Sequence, residues 1–298
     1  MNPFVYAEPQ THKYISPFQR FLSFLKYAAL LILGASYLLP FYWMVSSALK
    51  NENEVFVVPP VMVPYPPRWL NFVESWTSLP FNAYLFNTLI KYALPITIGT
   101  VLSSAIVAYG FGRVRWRWRN IFFAICLSTM MVPFQVTMVP LFVIFRQLHW
   151  INTYLPLVVP AFFGNPYFIF MLRQFFKSIP EELSDAARID GSSDLGILFR
   201  IILPLSRPAL TVTALFAFMG AWNDYLGPLI YLQKPEQYTL AVGIDFLRQA
   251  MTTKTTHSAL SYPYLMAVST VVTLPIVVLF FFAQRTFIEG ITLTGLKG

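Results

Sequence analysis

The sequence predicts an all-α, polytopic membrane protein with six transmembrane helices. Of its 298 residues, 56% are hydrophobic and only 11% are charged, whereas soluble domains usually carry about 25% charged residues. The mean hydropathy is +0.58, and long stretches without Asp, Glu, Lys or Arg recur along the chain. A transmembrane helix needs about 20 apolar residues, so these stretches are long enough to supply the spans.

The charge-free stretches place the spans in order, and the first begins after Lys26. The predicted spans cover residues 27–49, 83–112, 120–145, 154–172, 205–232 and 263–284. Proline and polar residues interrupt the fourth and fifth spans. Pro133 and Pro140 are expected to kink the third span, because proline removes a backbone donor from the helix.

Basic residues set the expected orientation. Fourteen lysines and arginines lie in the termini and in the second and fourth loops, against seven in the remaining connections. The positive-inside rule therefore puts both termini in the cytoplasm, together with the loop 173–204. The predicted organisation is a cytoplasmic tail over 1–26, a transmembrane domain over 27–285 and a cytoplasmic tail over 286–298. The first 26 residues are mixed in composition and do not resemble a signal peptide.

Two long connections lie on the other side. The segment 51–80 contains six prolines and cannot be one regular helix, and the segment 233–262 is polar and rich in threonine. Both are candidate contact surfaces for an extracellular partner, and a solvated connector is the alternative.

The net charge of +8 raises the question of nucleic-acid binding. The basic residues are spread over short loops between apolar runs, which favours membrane orientation and argues against a nucleic-acid partner. The run from Arg113 to Arg119 includes Trp116 and Trp118, and this combination is typical of an anchor in the headgroup layer of the lipid.

The loop between the fourth and fifth spans contains a short helix with its own start signals. Ser178 and Glu181 have the spacing of a capping box, and Pro180 is suited to a first turn. Glu181 and Glu182 put negative charge at the positive end of the helix dipole. Leu183, Ala186, Ala187 and, less well aligned, Ile189 give the helix an apolar side of small residues.

The same loop contains a stop signal and a second start signal. Gly191 is suited to the left-handed position that follows a helix, and Ser192 or Ser193 can cap the next helix. Pro204 marks the predicted bend into the fifth span.

Polar residues in or near the spans are candidates for a solute path. Asp224 is the one acidic residue inside a predicted span, and burying a charge in hydrocarbon costs several kcal/mol. Trp222 and Asn223 precede it, so a stacking face, an amide and a carboxylate lie side by side, which suits a sugar. Further polar candidates are Asn87, Gln135 and Thr137. The alternative is that Asp224 simply bonds a neighbouring helix.

Enzyme chemistry has no support in the sequence. The chain has no GxxxxGK[ST] phosphate loop, so it is not expected to bind ATP. His12, His149 and His257 are far apart and have no metal-ligand spacing. No metal and no cofactor are therefore expected on this chain.

Several motifs resemble those of bacterial ABC importer permeases. Asp185-Ala186-Ala187, Gly191 and Leu203-Pro204 follow the spacing of the EAA loop of that family, with Asp where the name of the motif has Glu. The runs Met131-Val132-Pro133, Val136 to Leu141 and Trp222-Asn223-Asp224 are similar to the carbohydrate branch, as are Pro228-Leu229 and Gln284-Arg285. Over about residues 30–298 the chain resembles the smaller, MalG-like permease of maltose-type sugar importers.

The resemblance implies a type I importer permease with the MetI-like fold, in a bacterial or archaeal plasma membrane. It implies a second, different permease, two ATPase subunits that bind ATP and Mg²⁺, and an extracytoplasmic binding protein that delivers a sugar. The helix that couples to the ATPase would comprise Glu181, Glu182, Asp185, Ala186, Ala187, Arg188, Asp190 and Gly191. The alternatives are a self-contained secondary transporter or channel, an intramembrane enzyme, and an ABC permease for a different solute.

Overall fold

The computed structural model describes residues 17–252 and 262–292, the last helix with its side chains as far as Gln284. The first sixteen residues of the predicted N-terminal tail, His257 and the last six residues lie outside the described residues. The helices are α1 (Pro17–Ala48), α2 (Leu70–Ser78), α3 (Phe81–Gly112), α4 (Arg119–Met131), α5 (Phe134–Gln147), α6 (Leu155–Val158), α7 (Pro166–Ser178), α8 (Glu181–Ile189), α9 (Asp194–Leu205), α10 (Arg207–Trp222), α11 (Leu226–Tyr231), α12 (Leu240–Thr252) and α13 (Tyr262–Thr292).

Among the described residues, four helical segments are long and apolar enough to cross a membrane, namely Arg20–Ala48, Phe81–Gly112, Leu155–Ser178 and Tyr262–Gln284. Two bent helix pairs meet the same test when each is taken as one span. The α4–α5 pair bends by 97° and the α9–α10 pair by 82°. Counting each pair as one span gives the six spans that the sequence predicts.

Helix α3 is the centre of the bundle, because it packs against α7, α10 and the 3₁₀ turn Val159–Phe163. Its two ends belong to two separate apolar clusters. At one end Tyr109 packs with Leu172, Phe176 and Ile202. At the other end Phe81, Tyr84 and Trp222 pack with Leu240, Leu247 and Val268. Helix α1 lies outside this core and packs along α13.

The helix bounds differ from the predicted spans at several points. Helix α1 begins at Pro17, ten residues before the predicted span, because polar residues continue the helix beyond its apolar part. The fourth span continues to Ser178, six residues into the predicted loop. The fifth span ends at Trp222, and residues 226–231 form the separate helix α11. The predicted connector 233–262 contains the helix α12.

The third span is broken outright, where the sequence predicts only a kink. Val132 and Pro133 are extended, and α5 begins at Phe134. Proline fixes its own backbone and biases the residue before it away from the helical region. Pro140, by contrast, lies within helix α5.

Candidate functional site

Helix α8 begins directly after a proline, and the predicted capping box does not form. Pro180 precedes the first helical residue, Glu181. Helix α7 continues through Ser178, and the hydroxyl of Ser178 donates to the carbonyl of Phe175 in the same helix at 2.7 Å. This side chain therefore does not cap α8. Glu181 and Glu182 do lie in the first turn of α8, where negative charge is favourable.

The end of α8 confirms the predicted glycine stop. Gly191 has a φ of +81°, and its N–H donates to the carbonyl of Arg188 at 3.0 Å. The N–H of Ser192 donates to the carbonyl of Ala187 at 2.9 Å, which completes a Schellman motif. Ser193 then caps α9 by accepting from the N–H of Gly196 at 3.2 Å. The loop therefore has a defined turn between two capped helices.

Helix α8 has an outward apolar ridge made of Leu183, Ala186 and Ile189. The side chain of Ile189 is 87% exposed and that of Leu183 is 44% exposed. Ser184 and Ala187 lie on the opposite, buried face. The prediction that Ala186 and Ala187 share one side was therefore wrong, because adjacent residues of an α-helix are about 100° apart and the edge of the buried face passes between these two. We call Leu183, Ala186 and Ile189 the α8 ridge.

Arg113 attaches the start of α8 to the end of α3. Its side chain is 6% exposed, and its guanidinium donates to the carbonyl of Phe176 from Nε at 2.9 Å and from Nη2 at 2.5 Å. Nη2 also donates to the carbonyl of Ile179. Burial lowers the pKa of Arg113 and the nearby Glu181 opposes this effect. The interpretation of this arginine as a lipid anchor was wrong, because its donors are used inside the protein.

Two further arginines connect the polar surface around α8. Arg115 pairs with Glu181 at 3.0 Å, and both side chains are exposed. Arg188 bonds Asp185 at 2.9 Å and Asp194 at 3.3 Å, which joins α8 to the start of α9. Partial burial would lower the pKa of Arg188, but the hydrogen bonds to Asp194 and Asp185 outweigh it and raise that pKa.

The predicted solute-path residues do not form one group. Asn87 is 2% exposed, and its amide donates to the carbonyls of Glu236 at 2.9 Å and Tyr238 at 3.1 Å, so it holds the segment before α12. Gln135 is exposed on α5. Thr137, also on α5, donates its hydroxyl to the carbonyl of Phe134 at 3.0 Å.

Trp222 and Asn223 are also used within the fold. Trp222 is 4% exposed and stacks on Phe218 with ring centroids 5.6 Å apart. The amide of Asn223 donates to the carbonyl of Met219 at 2.8 Å. The indole lies in the apolar core, so the stacking face that the sequence suggests is directed inward.

Asp224 is bonded on both of its carboxylate oxygens. The hydroxyl of Tyr92 donates to Oδ2, and the N–H of Gly227 donates to Oδ1 at 3.1 Å. This arrangement matches the alternative in which Asp224 bonds a neighbouring helix. The residue nevertheless remains partly accessible.

Asp224 lies at the edge of a cleft of about 520 Å³ between α3, α7 and α10. Its polar lining residues are Tyr92, Thr100, Asn165, Tyr167 and Asp224. Sequence reasoning missed Tyr92, Thr100, Asn165 and Tyr167. The run Gly164-Asn165-Pro166 was a usable signal, because asparagine before proline is typical of a helix start.

The wall of the cleft includes a break in the fourth span. Gly164 has a φ of +91°, and the side chain of Asn165 accepts from the N–H of Tyr167 at 3.0 Å, so a new helix begins within the span. The hydroxyl of Ser103 donates to the carbonyl of Ala161 at 2.9 Å. The N–H of Asn165 donates to Ser104 Oγ at 3.2 Å. The break is thus bonded to α3.

Comparison with known proteins finds a transport family and permease proteins of transport systems. The family model described as "Binding-protein-dependent transport system inner membrane component" matches residues 101–292. The chain is 33% identical over 274 residues to the arabinooligosaccharides transport system permease protein AraQ of Bacillus subtilis, covering 90% of this chain and 93% of that protein. It is 31% identical over 275 residues to the sulfoquinovosyl glycerol transport system permease protein SmoH of Agrobacterium fabrum, covering 92% and 94%.

A solved structure has the same fold. One chain of a bacterial ABC transporter involved in the import of the acidic polysaccharide alginate superposes with a TM-score of 0.78. The alignment covers 91% of this chain and 98% of that one, at 22% sequence identity. At this identity the likeness shows the fold and leaves the solute open.

Proposed function

The chain belongs to the family of binding-protein-dependent transport system inner membrane components, and we propose that it forms half of the translocation pathway of an ATP-driven sugar importer. It is a membrane-embedded permease subunit of an ABC importer, and its role is transport. Hydrolysis of ATP, with Mg²⁺, takes place on a partner ATPase, consistent with the absence of a phosphate loop from this sequence.

The α8 ridge carries this proposal. Leu183, Ala186 and Ile189 present an apolar surface that nothing in the described part of the chain covers, and exposed apolar patches rimmed by polar residues mark interaction sites. Glu182 and Asp190 supply the polar rim. The small Ala186 side chain allows a partner to approach the backbone closely. We infer that the ridge inserts into a groove of the ATPase.

The attachment of α8 supports transmission of movement. Arg113, at the end of α3, bonds the carbonyl of Ile179 two residues before α8, and Arg188 bonds α8 to the start of α9. A displacement of α8 by the ATPase therefore acts on the second, fourth and fifth spans together. Asp185 contributes through its bond to Arg188, so it positions α8 and leaves the apolar ridge to make the contact.

The orientation of the chain in the membrane assigns its surfaces to the other partners. The positive-inside asymmetry puts α8 and both termini in the cytoplasm, and α2 and α12 then face the binding protein outside. A second, different permease completes the pathway. The sugar assignment rests on the relatives, because arabinooligosaccharides and sulfoquinovosyl glycerol, both named as transported by them, are carbohydrate-containing solutes.

The test is sugar uptake and ATP hydrolysis by the reconstituted complex of both permeases, the ATPase and the binding protein. The probes are arabinotriose and sulfoquinovosyl glycerol, with sn-glycerol 3-phosphate as a solute that contains no sugar. We expect ATP-dependent uptake of a sugar by the wild type, and loss of sugar-stimulated hydrolysis in Gly191→Pro with the complex still assembled. Proline cannot adopt the φ of +81° that Gly191 has.

The rival function is a secondary transporter. It requires uptake by this chain alone, driven by an ion gradient and independent of ATP. That result, or unchanged hydrolysis and uptake in Gly191→Pro, would overturn the proposal.

A further inference from the structure

We propose that the cleft at Asp224 is a solute-binding site on this subunit and that it accepts an uncharged sugar unit in preference to an anionic one. The inference rests on the proposed function, and it adds a site and a substrate class. The cleft measures about 520 Å³, which lies within the range of roughly 300–1,000 Å³ for small-molecule sites.

The position of the cleft suits a translocation pathway. Thr100 is near the middle of α3, Asn165 interrupts the fourth span, and Gly220 is within α10. In transporters, binding sites near the middle of the membrane are typically formed by interrupted helices of this kind. Tyr167 is 46% exposed, so the cleft is open along that side and a solute can enter.

The lining has the chemistry of a sugar site. Tyr167 is exposed and offers aromatic surface to the C–H face of a sugar ring, whereas Tyr92 is buried and bonds Asp224. Asn165 and Asp224 offer an amide and a carboxylate to the hydroxyl groups of the sugar, and the buried Thr100 completes the wall. Because the Asn165 carbonyl oxygen already caps α7, its amide nitrogen is the group left to donate to a solute.

The charge of the lining selects the substrate class. Both oxygens of Asp224 accept hydrogen bonds, so this carboxylate acts as an acceptor toward the groups around it. Among the described residues, the lining includes no lysine or arginine. A phosphate, sulfonate or uronate group would therefore meet a like charge without a basic partner, whereas a neutral sugar can donate its hydroxyl hydrogens to the carboxylate.

Gly220 allows a direct test. A Cβ atom added to Gly220 meets no atom within 4 Å, and the same is true of Gly34 on the exposed helix α1. We replace Cys126 with alanine, introduce Gly220→Cys or the control Gly34→Cys, and reconstitute the full complex. The probes are a cationic and an anionic methanethiosulfonate of similar size, and reaction is read on this chain by intact mass.

We expect Gly220→Cys to react with both reagents and Gly34→Cys with neither, because Gly34 faces lipid. The cation-to-anion rate ratio should exceed that of a free thiol in solution by about tenfold, and Asp224→Asn should return the ratio to the solution value. The neutral sugar that the wild-type complex imports should slow the reaction at Gly220→Cys at least several-fold.

Three results overturn the inference. If Gly220→Cys reacts no faster than Gly34→Cys, the cleft is filled by lipid or by another helix. If the cation-to-anion rate ratio at Gly220→Cys equals that of a free thiol, the carboxylate does not select for charge. If an imported anionic solute slows the reaction, or the imported sugar does not, the proposed substrate class is wrong. If the wild-type complex imports no sugar, the proposed function fails, while the reagent rates still report whether the cleft is open.

Discussion

The guanidinium of Arg113 bonds the carbonyl of Phe176 through two of its nitrogens, at 2.9 and 2.5 Å. The two residues are 63 positions apart, and the bond joins the end of the second span to the last turn of α7. Helix α8 starts three residues after that turn ends, so its direction is fixed by a residue on another span.

Replacing Arg113 with methionine should therefore destabilise the protein and weaken coupling. Loss of bonds from a charged donor to buried carbonyls predicts a decrease of about 2–4 kcal/mol in the free energy of unfolding. Thermal unfolding in detergent measures the decrease, and sugar-stimulated ATP hydrolysis measures coupling. The control is Arg115→Ala, since its pair with Glu181 is exposed and should contribute about 0.5 kcal/mol or less. Equal effects of the two variants would contradict the prediction.

A charge on the α8 ridge should separate the permease from its ATPase without unfolding it. Ile189→Glu places a carboxylate where the side chain is 87% exposed, so stability should be unchanged. The Kd for the ATPase should rise at least about tenfold, as expected for an apolar anchor of an interface. The control is Leu148→Glu, also exposed, beyond the end of α5. An unchanged Kd in Ile189→Glu would rule out the ridge as the docking surface.

Substitutions of Gly191 should reduce sugar-stimulated ATP hydrolysis more strongly the less the new residue tolerates a positive φ. Alanine in the left-handed region costs about 1–2 kcal/mol, and asparagine visits that region more readily. We expect sugar-stimulated ATP hydrolysis to fall from glycine to asparagine to alanine. Gly34→Ala, within a helix and without positive φ, is the control and should leave hydrolysis unchanged. Any other order of ATP hydrolysis among the three proteins would show that the backbone geometry of the turn does not determine coupling.

Tyr92 and Asp224 should behave as a coupled pair. Tyr92→Phe removes the hydroxyl that donates to Oδ2 and should cost about 1–3 kcal/mol, because it leaves a partly buried acceptor without its partner. A double-mutant cycle with Asp224→Asn, read by thermal unfolding, should give an interaction energy of about 0.5–3 kcal/mol. Additive effects would show that the contact contributes nothing.

The extramembrane helix α12 should respond to acid through Asp245. Partial burial would raise the pKa of this carboxyl, but hydrogen bonds from Arg248, Tyr225 and Gln249 outweigh it and hold the pKa below the usual 3.8. A lowered pKa in the folded state stabilises the fold above pH 3.8, and this contribution is lost as the pH falls through the lower value. The protection factors of the α12 amides, which compare exchange with the intrinsic rate at each pH, should therefore fall below pH 3.8 in the wild type. In Asp245→Asn the protection factors should be lower at neutral pH and lack this acid step.

Local signals in the sequence were reliable between α8 and α9, but not at the start of α8, where Ser178 belongs to α7 and forms no capping box. The stop at Gly191 and the cap at Ser193 depend on bonds between residues close in the chain. Apolar run length likewise predicted a number of spans that the structure allows, although several of their bounds differ. The break at Pro133 was anticipated only as a kink, because sequence alone did not show that Val132 and Pro133 both leave the helix.

Long-range contacts account for what the sequence did not reveal. Arg113 looked like a lipid anchor because Phe176 is 63 positions away, and Asn87 looked accessible because its partner carbonyls come about 150 positions later. Which face of α8 is buried depends on its packing against α9, and the sequence of α8 alone does not give this packing. The cleft joins residues from three spans, and no spacing within one span could have indicated it.

The interrupted fourth span has a consequence for hydration. Its backbone groups at the break are bonded by Ser103 and Ser104 of α3 and by the side chain of Asn165, so the break does not depend on water molecules to remain in place. A change in the hydration of the cleft therefore leaves these backbone hydrogen bonds of the fourth span in place.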